Sequence, residues 1–131
     1  MSNQQMIILA VEDDPNDLFF LKRVLEKAGY ASIHHVDDGK KAIDYLAGHG
    51  TYKDRSIHPL PDLIFLDLKL PEMMGHEVLQ WIVSQPALKD IRVFVLTSSD
   101  ERRDRERIEK LGAAGYLVKP LMPGQLDTIF G

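Results

Sequence analysis

Four apolar segments of this 131-residue chain end in side chains that could do chemistry. MIILAV (6–11) runs into Glu12-Asp13-Asp14, and DLIFLD (62–67) ends in Asp67. IRVFVLT (91–97) ends in Thr97-Ser98-Ser99, and GYLVK (115–119) in Lys119-Pro120. Carboxylates brought together raise one another's pKa unless a cation compensates. Mg²⁺ takes oxygen ligands and is often held by one or two carboxylates plus a phosphate. An ammonium and a hydroxyl are the groups suited to a phosphoryl oxygen. The set points to phosphoryl chemistry at a carboxylate nucleophile, with the other acids holding the metal. Each residue alone has an ordinary reading. Asp14 before Pro15 is a helix N-cap pair, a strand Thr is usually structural, and a Lys at a strand end is usually solvated. The coincidence at four strand ends carries the argument.

The elements that must bring these residues together alternate along the chain. The apolar runs read as strands buried on both faces, with a more polar strand at Ala31–Val36 suited to an edge. Leu18, Leu21, Leu25 and Ala28 recur at helical spacing until Gly29 closes the helix. Asp37–Ala47 reads as a helix with Ala42, Ile43 and Leu46 inward. Val78, Leu79, Ile82 and Val83 mark a third helix, which stops near Pro86. Asp100–Leu111 is a charged fourth, with Ser98 to Glu101 spaced as its capping box. Leu126, Ile129 and Phe130 suggest one short helix at the end. Residues 48–61 (GHGTYKDRSIHPLP) form a long loop of the kind that is often functional or mobile. Five βα units in a row imply a parallel sheet with helices on both faces. In such sheets, sites form at the carboxyl ends of strands.

Composition narrows the class. Apolar residues make up 44% and charged residues 27%, as in an ordinary globular domain, and the net charge is −4. That balance argues against nucleic acid as the direct partner. With no cysteine, disulfides and thiolate chemistry are excluded. No apolar run approaches a membrane span, and the polar start, Met1 to Gln5, lacks the basic region of a signal peptide. The cytoplasm is the expected compartment.

The motifs VEDD (11–14), LDLKLPEMMG (66–75), LTSS (96–99) and YLVKP (116–120) stand in the order and register of the receiver domain of response regulators. The chain resembles that family over nearly its whole length. The resemblance implies a single domain over 1–131 with a flavodoxin-like, doubly wound (βα)5 fold and a five-stranded parallel sheet. It implies Asp67 as phospho-acceptor and Glu12 and Asp13 as the acidic pair that holds Mg²⁺ with Asp67. The backbone carbonyl of Lys69 would join them. Thr97 would hydrogen-bond the phosphoryl group, Lys119 would pair with Asp67 and then with the phosphate, and Tyr116 would be the aromatic that reports the state. The Lys119-Pro120 peptide is expected cis. Pro71 and Gly75 match the turn after the acceptor, where Gly75 would relieve backbone strain.

The implied partner is a sensor histidine kinase or a phosphotransfer protein. The stretch before Asp67 is longer than in minimal receivers, with its surplus in residues 48–61. A similar loop occurs in stand-alone regulators of bacterial phytochromes, so a phytochrome-type kinase is the leading donor. The family would also dimerise through the face of helix four, strand five and helix five, although here the last helix is short. Output would come through protein contacts rather than DNA. The chain would catalyse its own phosphotransfer and dephosphorylation without turning over external substrates.

Three other functions compete. A phosphatase of the haloacid dehalogenase class needs a second Asp two residues after the nucleophile, and Lys69 stands there. A pseudo-receiver that never accepts phosphate would have lost an active-site residue, and none is lost. A flavodoxin-like cofactor carrier needs a Ser/Thr/Gly-rich phosphate loop after strand one, which is missing. His34, His35, His49, His58 and His76 show no metal-ligand spacing. The run Arg102 to Arg107 is mixed in sign and reads first as a solvated face. Trp81 reads as partly buried. Lys69 and Ser99 flank the expected phosphoryl site; their side chains face solvent in the plain reading, and in the functional one Lys69 governs access of hydrolytic water.

Overall fold

The structure, a computed structural model, describes residues 5–130. The first residues of the polar N-terminal stretch lie outside it. Five strands alternate with five helices: β1 (Ile7–Val11), α1 (Pro15–Lys27), β2 (Ser32–Val36), α2 (Gly39–Ala47), β3 (Leu63–Leu66), α3 (Gly75–Val83), β4 (Arg92–Thr97), α4 (Arg102–Leu111), β5 (Gly115–Val118) and α5 (Leu126–Phe130). All neighbouring strands pair in parallel, in the order β2-β1-β3-β4-β5. This is the flavodoxin-like arrangement expected, with the polar β2 at an edge.

Side chains alternate across each strand. Leu9, Val11, Ile64, Leu66, Val93 and Val95 face one way, into a core closed by α2, α3 and α4. Ile8, Ala10, Leu63, Phe65, Phe94 and Leu96 face the other, into a core closed by Leu21 and Leu25 of α1 and Leu126 and Ile129 of α5. The strand interior therefore meets no water, which is why β1 and β3 are continuous apolar runs. No helix among the described residues is long and apolar enough to cross a membrane.

Several local expectations are corrected. Ile43 is half-buried, and Tyr45 takes the inward place in α2 beside Ala42 and Leu46. Its ring meets Tyr52 and His58, and its hydroxyl donates to the Pro59 carbonyl at 2.8 Å. Val83 is 51% exposed, so the inward stripe of α3 ends at Ile82. Residues 48–61 are tied down: Arg55 donates to the carbonyls of Tyr45, Leu46 and His58 at 2.7, 2.9 and 3.2 Å. Two of these are last-turn carbonyls of α2, and the Tyr45 carbonyl also accepts from the Gly48 N–H at 3.2 Å. The Ser98–Glu101 capping box does not form. Instead Ser99 Oγ accepts from the Glu101 backbone N–H at 3.4 Å and donates to Asp104 at 2.7 Å.

Candidate functional site

β1, β3, β4 and β5 deliver Glu12, Asp67, Thr97 and Lys119 to one edge of the sheet, where their runs end. Asp14 starts α1 as expected, accepting from the N–H groups of Asn16 and Asp17 at 2.8 and 3.3 Å. Glu12 and Asp67 are buried, Thr97 is fully buried, and Asp13 is exposed. One carboxylate oxygen from each of Glu12, Asp13 and Asp67 can be chosen so that all lie within 4.8 Å of one another.

Lys119 directly follows β5, the last strand in the sheet order. Its Nζ lies 2.6 Å from Glu12 Oε1, 2.8 Å from Asp17 Oδ2 and 3.0 Å from Asp67 Oδ2. Asp17 was not among the residues singled out from sequence. It stands in the first turn of α1, where an acid is favoured by the helix dipole alone. The available signal was its place in the first turn of a helix that begins at the site.

The electrostatics follow from this crowding. Burial pushes the Glu12 carboxyl up to about 7; the Lys119 hydrogen bond opposes the rise and the charge of Asp67 adds to it. Burial works to lower the Lys119 pKa, but the hydrogen bonds it donates to Asp17, Glu12 and Asp67 outweigh it and hold the ammonium above the usual lysine range. One ammonium shared by three acids leaves the cluster net negative. The donor set is oxygen only, which suits a hard divalent cation, and Glu12, Asp13 and Asp67 are the residues that could hold it.

The remaining expected residues surround this cluster. The Lys69 backbone N–H donates to Asp67 Oδ1 at 3.3 Å, and its side chain is exposed. The Ser99 side chain is turned to α4, in place of the solvent-facing position expected. Tyr116 is buried; its hydroxyl donates to the Ser99 carbonyl at 2.7 Å, and the Arg105 guanidinium lies 4.9 Å from its ring centre. The Lys119-Pro120 peptide is cis.

Gly75 is required for a reason other than the strain expected. A Cβ there would lie 2.1 Å from the Asp67 carbonyl oxygen and 2.7 Å from Leu68 Cα. The left-handed residue of that turn is Glu72, with φ of 68°.

Comparison with known proteins agrees with this geometry. Residues 8–130 match the family described as the response regulator receiver domain. The probable methanogenesis regulatory protein FilR2 of Methanothrix harundinacea (strain 6Ac) is 39% identical over 116 residues, covering 88% of this chain and 72% of that protein. The Mn²⁺-bound form of response regulator Rcp1 superposes with a TM-score of 0.81 at 34% identity, covering 95% of this chain and 88% of that one. The phosphorylated cyanobacterial phytochrome response regulator RcpA gives 0.82 at 35%, covering 95% and 87%. The chain belongs to the response regulator receiver domain family.

Proposed function

We propose that this protein is a phospho-accepting receiver that takes a phosphoryl group onto Asp67 and thereby alters a protein-interaction surface. The observation that carries the reading is the contact of Lys119 Nζ with Asp67 Oδ2 at 3.0 Å, beside two further acids that can hold a cation. A carboxylate oxygen of Asp67 attacks the phosphorus of a phosphohistidine in line. The P–N bond breaks, its electron pair stays on the imidazole, and an acyl phosphate forms. Glu12, Asp13, Asp67 and the carbonyl of Lys69 would hold Mg²⁺, which when bound supplies positive charge for the transferred oxygens. Lys119 turns its ammonium from carboxylate to phosphoryl oxygen. Thr97 donates its hydroxyl to the same group, and Tyr116, linked through Ser99, carries the change to α4 and β5.

The donor proposed is a phytochrome-type histidine kinase or a phosphotransfer protein, working in the cytoplasm. Similarity to the phytochrome regulator RcpA supports this, as does the added length at residues 48–61. A homodimer through α4, β5 and α5 belongs to the same reading.

Intact mass after incubation with acetyl phosphate tests the function. One added phosphoryl group is expected, dependent on both Mg²⁺ and Asp67, and lost in Asp67→Asn. A folded protein that gains no mass and binds no beryllofluoride would instead be a pseudo-receiver, an interaction module that is never phosphorylated.

A further inference from the structure

β2 contributes a residue to the site that neither its type nor its spacing announced. His35 stands one residue before the end of β2, level with Ala10 of β1. Its Nε2 lies 2.7 Å from the backbone carbonyl oxygen of Glu12. A carbonyl oxygen can only accept, so the ring is the donor and carries its proton on Nε2.

The geometry explains why a side chain is needed. The Glu12 N–H is held by the Val36 carbonyl at 3.1 Å, the last rung between β1 and β2. Beyond Val36 the chain turns towards α2, whose N-cap is Asp38. The ladder therefore supplies no backbone donor for the next acceptor, the Glu12 carbonyl, and the imidazole of His35 takes that place.

The peptide so held is the one joining Glu12 to Asp13. The Glu12 side chain has other ties, to Lys119 at 2.6 Å and to the Asp14 N–H at 3.2 Å. Asp13 has none: among the described residues its carboxylate makes no hydrogen bond or ion pair. The direction in which Asp13 leaves the backbone is set by the plane of the peptide that His35 fixes.

We propose that His35 is a positioning residue for the divalent-cation site, holding the Glu12–Asp13 peptide so that the Asp13 carboxylate faces Glu12 and Asp67. This rests on the proposed cation role of those three acids. It adds a residue outside the four strand-end motifs, acting through a backbone carbonyl rather than on the ion.

Cation affinity of the whole chain, measured with Mn²⁺ by electron paramagnetic resonance, tests it without phosphorylation. His35→Ala should weaken Mn²⁺ binding roughly tenfold, as loss of an outer hydrogen-bond partner of a metal site does. His35→Gln, which keeps an N–H donor of similar reach, should bind within about twofold of the parent on the same principle. Equal affinity in the parent and His35→Ala would overturn the positioning role alone. Equal weakening in the Ala and Gln variants would overturn it too. A parent that binds no Mn²⁺ would remove the cation reading and this inference with it. Should His35→Ala fail to fold, ¹⁵N spectra of the parent imidazole decide: the Nε2–H tautomer is expected, and an Nδ1–H tautomer would sink the proposal.

Discussion

Glu12 and Lys119 show how far single side chains determine the behaviour of the site. Glu12 must be a carboxylate to bind a cation, and its pKa stands at about 7. In the cation role proposed for Glu12, protons would therefore compete with the metal across the neutral range. Mg²⁺ affinity measured by calorimetry should be near its plateau at pH 8 and fall by up to about tenfold per pH unit below 7. Affinity independent of pH from 5.5 to 8 would contradict this. Lys119→Met removes the counter-charge from buried Glu12 and Asp67. Breaking a buried pair in this way costs about 3 kcal/mol, read by urea unfolding at pH 8 in the presence of chelator. Without the ammonium, the Glu12 carboxyl, already raised by burial, rises further above its unfolded value. The loss is then full above that folded value and relieved as the pH falls through it towards the unfolded carboxylate range. The variant should thus regain stability relative to the parent at pH 5. Asp67, Thr97 and Lys119 were legible in the sequence because each closes an apolar run. Asp17 and His35 were not. The first depends on the rotational phase of α1, and the second on which residue of β1 lies beside it.

Among the elements, the turn after β3 combines two constraints that the motif alone merged into one. Gly75 is there because the backbone of Asp67 and Leu68 passes too close for any side chain. Gly75→Ala should cost about 2 kcal/mol by forcing that backbone apart and should slow phosphorylation of Asp67. Glu72 holds a left-handed φ that an L-residue occupies at a cost. Glu72→Gly should stabilise the fold by about 0.5 kcal/mol, and parallel urea titrations would separate the two variants by sign. The helices were legible to within a turn, since their apolar spacing is strong. Misassignments fell where tertiary contacts override spacing. Tyr45 displaces Ile43 because the 48–61 loop offers its ring and hydroxyl partners, and Ser99 displaces Ser98 because Asp104 of α4 accepts its hydroxyl.

For the molecule as a whole, the parallel sheet and its two cores follow from alternation that the strand sequences display directly. The two faces do not carry equal cover. Three helices close one, while α1 and the five-residue α5 close the other. That thinner side is braced by the Tyr30–Phe130 stack, with ring centres 4.1 Å apart, and by Arg92, whose guanidinium donates to the Ile129 carbonyl at 2.9 Å. Neither brace is visible in the sequence, since each joins residues far apart in the chain. Phe65, 2% exposed, sits beneath that side. Phe65→Ala should cost about 3–4 kcal/mol, a large share of the roughly 5–15 kcal/mol that holds such a domain folded. A thermal melt unchanged by the substitution would show that this core contributes less than its burial implies.

An ammonium has three N–H bonds, and Lys119 has already committed all three, one each to Glu12, Asp17 and Asp67. Its valence is full. A new anion on Asp67 takes over the N–H now given to the Asp67 carboxylate, and any second contact to that anion requires another acceptor to be released. Asp17 is the acceptor that water can most readily take over, because its side chain is 38% exposed against 6% for Glu12 and 7% for Asp67. The first turn of α1 is thereby coupled to the charge on Asp67 through a single nitrogen atom.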